Sequence, residues 1–109
     1  MGGSLKKGTT INRPPQFLYK IQPTRPALLT KGPTNEEARL VSKHFHYLQG
    51  LCEAGVVKLA GRTLNTDASS FGIVIFEAAD ESAARAIVDN DPAVKQALCA
   101  PRCIPIGLR

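Results

Sequence analysis

The chain has 109 residues, 43% of them apolar and 6% aromatic, and its formal charge is +5. This length fits one domain with a modest core, and no stretch approaches the roughly 20 apolar residues that a membrane-spanning helix needs. The basic residues are scattered and there is no Trp, which argues against nucleic acid and favours a small anionic metabolite as partner. The first residues contain no apolar signal-peptide segment, so the sequence predicts a cytoplasmic protein without a membrane partner.

Residues 1–16 combine Gly, Ser, Lys, Thr and Pro-Pro, and they predict a flexible N-terminal tail before one domain over residues 17–109. The stretch 17–22 reads FLYKIQ and alternates along its length, with Tyr19 on the more apolar face. This period of two predicts the first strand, which should end at Pro23. A loop is expected from there to residue 33.

A helix is predicted over residues 35–54. Thr34 and Glu37 fit a capping box, in which each side chain bonds the other residue's backbone amide. Gly55 supplies the left-handed stop. Apolar residues repeat every three or four positions and should form the inner face of the helix; they are Ala38, Val41, Phe45, Leu48, Leu51 and Cys52.

Two strands follow this helix in the sequence. VVKLAGRT at 56–63 and FGIVIFEA at 71–78 have the composition of strands, and a polar loop joins them. The second of these is apolar on both faces, which is typical of a strand in the middle of a sheet.

The last part of the chain predicts a helical region and a closing strand. Asp80 or Ser82 should begin the helix, and Asp91 before Pro92 should restart the helical path, which continues to Leu98. CIPIGL at 103–108 predicts a short edge strand, where a proline is tolerated.

The predicted order of elements is β-α-β-β-α-β. It indicates an α+β fold of the ferredoxin-like type, an antiparallel sheet with both helices on one face and the first and third strands in the centre. The other face would then expose apolar side chains, which normally marks a partner surface. A second copy of the chain is the simplest partner, so the sequence predicts a homodimer joined through its sheet faces as a dimeric α+β barrel.

The three cysteines, Cys52, Cys99 and Cys103, are an odd number that cannot pair fully within one chain. All three are predicted to be reduced, with Cys52 as a small core residue. Cys99 and Cys103 lack the second close pair that a zinc quartet needs, and the chain has no Gly-rich phosphate cradle. No metal and no cofactor are predicted.

Two histidines, His44 and His46, lie on the predicted helix. Residues two apart point about 200° from each other on a helix, so the pair cannot bind one metal ion. His44 falls on the apolar stripe between Val41 and Leu48, whereas His46 should be exposed. His44 is then either a core-edge residue bonded to a backbone carbonyl or a general acid and base, a task that suits imidazole at neutral pH.

Three segments together resemble the YCII-related family, small dimeric α+β barrel proteins similar to muconolactone isomerase. They are HFHYLQGLCEAGVVKLAGR at 44–62, GIVIFEA at 72–78 and DNDPAV at 89–94. The resemblance extends from Phe17 to Leu108. This chain departs from it at Arg62, where members often have Pro.

The resemblance implies a histidine paired with an aspartate beside a pocket, and the matching residues here are His44 and Asp91. It also implies chemistry on lactones and related ring acids, by isomerisation or loss of halide. For Asp91, helix capping alone is the other interpretation, and the two roles are compatible because a carboxylate has two oxygens.

Two more residues are candidates for substrate binding. Arg62 ends the second strand and is placed to hold a substrate carboxylate through two parallel hydrogen bonds, or else it is simply exposed. Tyr19 would line the same cavity, or else serve as a core tyrosine whose hydroxyl reaches a loop.

The sequence therefore supports one preferred function and two alternatives. The preferred one is a small enzyme of isomerase, lyase or dehalogenase type that acts on a small anionic ring or lactone, with His44 and Asp91 as catalytic residues. The second is a non-catalytic ligand-binding or interaction module. The third is haem or oxygenase chemistry on the same barrel plan, with a histidine as axial ligand.

Overall fold

The computed structural model describes residues 14–107, so most of the predicted tail and the end of the predicted last strand lie outside the described residues. These residues form four strands and four helices. In chain order they are β1 Gln16–Pro23, α1 Ala27–Thr30, α2 Asn35–Glu53, β2 Val57–Arg62, β3 Gly72–Glu77, α3 Glu81–Asp89, α4 Pro92–Lys95 and β4 Cys99–Ile106. Within residues 14–107, no helix has both the length and the apolar character needed to cross a membrane.

The four strands form one sheet in the order β2-β3-β1-β4, and all neighbouring strands are antiparallel. The predicted α+β fold is confirmed, with the first and third strands in the centre. The alternating side chains of β1 explain this position, because Phe17, Tyr19 and Ile21 on one face are all buried. On β3, Val74 and Phe76 face the same core.

The capping box that begins α2 is confirmed. The Glu37 amide donates to Thr34 Oγ1 at 3.1 Å, and the Thr34 amide donates to Glu37 Oε1 at 2.9 Å. At the other end the chain leaves the helix through Gly55, whose φ of 80° suits a residue without a side chain.

The inner face of α2 differs from the predicted one. Leu40, His44 and Leu48 are its buried residues, spaced four apart. Phe45 is 59% exposed and Cys52 is exposed, so their predicted core positions are wrong. Ala38, also predicted to face inward, is exposed. Leu48 is buried as predicted, and Val41 and Leu51 pack against the core, so the buried stripe overlaps the predicted one and has His44 at its centre.

The region after α3 also differs from its prediction. The helical path ends at Lys95 instead of continuing to Leu98, because Ala97 takes a left-handed φ of 56° that no α-helix accommodates. The last strand then begins at Cys99, four residues earlier than predicted, and pairs with β1 along its whole length. The four-residue helix α1 lies in the predicted loop.

The helices cover one face of the sheet and leave the other face open. On the open face, one row of apolar side chains crosses all four strands, since Leu59 pairs with Ile75, Ile75 with Leu18, and Leu18 with Ile104. Leu59 is 51% exposed and Ile104 is 38% exposed. The exposed apolar face predicted from the sequence is therefore present, and it extends to both edges of the sheet.

Candidate active site

His44 and Asp91 meet between α2 and the start of α4. His44 Nδ1 lies 2.7 Å from Asp91 Oδ2 and 2.9 Å from Oδ1. The Asp91 side chain is fully buried, and the His44 side chain is 11% exposed. The contact is therefore shielded from water, which strengthens the attraction between the imidazole and the carboxylate.

Local sequence fixes the position of both residues. His44 is the middle residue of the buried stripe of α2, so it points from the helix towards the sheet and α4. Asp91 caps α4 immediately before Pro92, and its Oδ1 accepts from the Ala93 amide at 2.9 Å. The carboxylate therefore caps a helix and contacts the imidazole at the same time.

Tyr19 adds a third donor to the same carboxylate. Tyr19 lies on the central strand β1, and its hydroxyl donates to Asp91 Oδ2 at 2.9 Å. The tyrosine is completely buried. Asp91 thus accepts from a side chain of β1, a side chain of α2 and a backbone amide of α4. A buried carboxylate needs such partners, because desolvation without them is costly.

The charge of Asp91 influences the other ionisable groups around it. Burial raises the pKa of the Tyr19 hydroxyl far above its usual range, and the charge of Asp91 and the hydrogen bond to it raise it further. Burial, with a smaller contribution from Asp91, also raises the pKa of the Tyr47 hydroxyl. The same two causes raise the pKa of the Cys99 thiol to about 11. All three groups are therefore neutral at physiological pH, and the tyrosine hydroxyls remain donors.

The second ring nitrogen of His44 completes the chemistry of the site. Neutral imidazole carries one proton, and a carboxylate at Nδ1 favours that proton on Nδ1. In the part of the chain that the structure describes, Nε2 makes no hydrogen bond. This tautomer leaves Nε2 as an acceptor, which is the arrangement that a general base requires.

The structure brings together three of the four predicted site residues, His44, Asp91 and Tyr19. Arg62 lies elsewhere, exposed at the end of the edge strand β2, where Nη1 donates to the Thr63 carbonyl at 3.3 Å. His46 is exposed, as predicted.

Two further groups near Asp91, the Cys99 thiol and the Tyr47 hydroxyl, were missed at the sequence level. Tyr47 donates to the Ile87 carbonyl at 2.6 Å. Cys99 begins β4, opposite Pro23. Cys99 comes near the carboxylate only through the strand register, which the sequence does not show. The position of Tyr47 could have been predicted, because it lies about one helical turn after His44. Across residues 14–107, no three His, Cys, Asp or Glu side chains gather in a group able to hold a metal ion.

Comparison with known proteins gives a family match and similar solved structures. The family model described as "YCII-related domain" matches residues 17–105, which is most of the chain. No curated protein matches the sequence.

One of the similar structures is 5-chloro-2-hydroxyhydroquinone dehydrochlorinase from Burkholderia phenoliruptrix AC1100, solved in complex with 2,5-dihydroxybenzoquinone. The TM-score is 0.61 and the sequence identity is 24%, over 86% of this chain and 93% of that one. At this identity the likeness establishes a shared fold.

Proposed function

The chain belongs to the YCII-related domain family, and on that premise we propose that it is a small enzyme in which His44 transfers a proton to and from a small anionic ring or lactone. The observation that carries this proposal is the buried contact of His44 Nδ1 with Asp91, at 2.7 and 2.9 Å. A histidine oriented by a buried carboxylate is a recurrent form of general base.

Each of the three residues has a separate task in this proposal. His44 accepts a proton at Nε2, and the imidazolium that forms is stabilised by Asp91 at Nδ1. Asp91 holds the imidazole in one tautomer and one orientation. Tyr19 is a positioning residue, because its hydroxyl donates to Asp91 Oδ2 and so fixes the carboxylate. Because the Tyr19 hydroxyl donates its proton to Asp91, that proton is not free to form a hydrogen bond with a substrate.

Two observations support a ring acid as the substrate class. The formal charge of +5 favours anions. The protein of similar fold is named for removing chloride from a hydroxylated aromatic ring, and its structure holds a quinone. On such a ring, His44 would take a hydroxyl proton and deliver it to the ring carbon that bears chlorine, which forms a C–H bond and leaves a ketone. A second ring hydroxyl would then lose its proton as chloride leaves with the electron pair of the C–Cl bond, and the product is a hydroxybenzoquinone. The net loss is HCl, and no oxidant is needed.

Arg62 is the proposed group for the acid end of the substrate. It is exposed and bonds within the described residues only to the neighbouring Thr63 carbonyl, so most of its donors are available for a carboxylate.

The open face of the sheet supports a homodimer as the working form. The row Leu59, Ile75, Leu18 and Ile104 crosses the whole sheet, and burying it against the same row of a second copy would remove this apolar area from water. Two such sheets, packed face to face around a two-fold axis, would make the dimeric α+β barrel.

One observation favours the alternative, a non-catalytic ligand-binding or interaction module. The His44 side chain is only 11% exposed, so a substrate has little access to the imidazole in the described chain. In that case the His44–Asp91 contact stabilises the fold, and a ligand binds without being converted.

Turnover by matched histidine variants tests the enzyme proposal. The purified full-length chain is incubated with 5-chloro-2-hydroxyhydroquinone and with an unsaturated γ-lactone acid, and chloride release and ring absorbance are followed. His44→Ala should lower turnover by about 100-fold or more, whereas His46→Ala, a change of the exposed histidine, should leave it unchanged. Turnover by His44→Ala at the wild-type rate would exclude His44 as the base. Saturable binding without product would establish the binding module instead.

A further inference from the structure

A cleft of about 280 Å³ lies between α2 and the turn of α3 into α4. We propose that this cleft, called here the α2–α4 cleft, is a binding site for a compact organic dianion, with Arg39, Lys43 and Lys95 as its anion-binding residues. Neither His44 nor Asp91 lines the cleft, although their chain neighbours Lys43, Asn90 and Pro92 do. The function of the cleft does not depend on proton transfer by His44.

Three cations converge on the cleft from two elements. Arg39 and Lys43 are one turn apart on α2, so they share a face, and Lys95 approaches from the last turn of α4. Within residues 14–107, neither Lys43 nor Lys95 forms an ion pair. Three like charges around one hollow repel each other, and an anion between them would relieve that repulsion.

Among residues 14–107, Glu36 is the acidic side chain that pairs with a cation of this cleft. Glu36 accepts from Arg39 Nε at 3.1 Å, and this hydrogen bond, with smaller contributions from the positive charges of Arg39 and Lys43, holds the pKa of the Glu36 carboxyl below its usual range. Since Glu36 is exposed and offsets only one of three positive charges, the cleft retains an excess of about two. A dianion matches that excess better than a monoanion.

The remaining lining residues indicate that the ligand has an organic part. Asn90 and Gln96 contribute amides that can donate to oxygen atoms. Leu40 and Pro92 contribute an apolar surface, and Leu40 is only 6% exposed. The volume is at the small end of ligand pockets. The chemistry that suits all of these features is a phosphate monoester or a dicarboxylate on a small apolar body.

Chemical-shift titration of the full-length ¹⁵N-labelled protein at low salt tests this site. The probes are phenyl phosphate, phthalate and, as a neutral control, benzyl alcohol. Saturable shifts at residues 39–43 and 90–96 with a dianion, and none with benzyl alcohol, are the expected result. Stronger binding of phenyl phosphate would identify the phosphate class, and stronger binding of phthalate the dicarboxylate class.

Two lysine variants distinguish binding in the α2–α4 cleft from nonspecific attraction of anions to a basic protein. Lys95→Ala should weaken dianion binding by about tenfold, the loss expected for one charge-assisted contact. Lys58→Ala removes the same charge from β2, on the sheet, and should leave the affinity unchanged. Equal affinities for both variants and the wild type, or shifts spread over all basic residues, would overturn the proposal. So would the absence of saturable binding by both dianions.

Discussion

His44 Nδ1 lies within 2.9 Å of both oxygens of Asp91, although the two residues are 47 positions apart in the chain. The contact joins the longest helix to a four-residue helix that the same aspartate caps. Tyr19 reaches the carboxylate from a third element, the central strand β1. Three separate elements are thus held at one buried carboxylate, and the site and the packing of the fold depend on the same contacts.

Removal of the Asp91 carboxylate should destabilise the protein much more than removal of an ordinary helix cap. Asp91→Ala leaves a buried tyrosine hydroxyl, a buried imidazole and a backbone amide without an acceptor, which should cost about 3 kcal/mol or more. Asp80→Ala is the matched control, since Asp80 caps α3 through the Ala83 amide at 2.8 Å and should cost about 1 kcal/mol. Urea unfolding of both variants measures the difference. Equal losses would mean that Asp91 only caps.

A comparison of two tyrosines tests the positioning role of Tyr19. Tyr19→Phe removes the donor to Asp91 Oδ2 and should lower both the free energy of unfolding, by about 1–3 kcal/mol, and turnover. Tyr47→Phe removes a hydroxyl that donates to the Ile87 carbonyl instead, so it should lower stability while turnover stays near the wild-type value. Urea unfolding and the turnover assay measure the two effects. If both variants lose turnover in proportion to stability, Tyr19 has no separate role at the site.

Much of the architecture could be predicted from the sequence, because its local signals agreed with one another. Alternation in 17–22 located the first strand, and Thr34 and Glu37 located the start of α2. The buried position of His44 followed from its spacing to Leu48.

Other features could not be predicted, because they depend on tertiary contacts. The bond between Tyr19 and Asp91 spans 72 residues and exists only once β1 is placed beneath α4. The left-handed Ala97 carries no sequence signal, since alanine normally favours helix. The exposure of Phe45 is also unpredictable from periodicity, because Phe45 is apolar and lies four positions after Val41, and only the packing of α2 on the sheet shows that this side of the helix faces outward.

A charge placed on the open sheet face should abolish the proposed homodimer. Ile75 lies on β3 in the middle of the apolar row, so Ile75→Lys would bury two charges at the two-fold interface, a cost of several kcal/mol. Light scattering at micromolar concentration should give twice the chain mass for the wild type and the chain mass for the variant. Phe45→Lys, on the exposed side of α2 in the opposite layer, should remain dimeric. A wild type that is folded and monomeric would contradict the prediction.

The cysteines should differ in reactivity, and the difference should depend on pH. Thiolate is the reactive form, and burial, together with Asp91, raises the pKa of the Cys99 thiol to about 11. At neutral pH Cys99 is therefore protonated, and its alkylation should become faster as the pH rises towards that value. Exposed Cys52 should react first. Mass spectrometry of iodoacetamide adducts over time measures both rates. Equal rates at about pH 7.5 would place Cys99 in a different environment.

The tautomer of His44 is the most direct test of a proton-accepting Nε2, because measuring it requires no substrate. Long-range ¹H–¹⁵N correlation spectra at about pH 8, where a free imidazole is neutral, distinguish a proton on Nδ1 from one on Nε2. We expect His44 to carry its proton on Nδ1, towards Asp91, and exposed His46 not to share this preference. A proton on His44 Nε2, or a pattern for His44 identical to that of His46, would contradict the assignment of His44 as a general base held by Asp91.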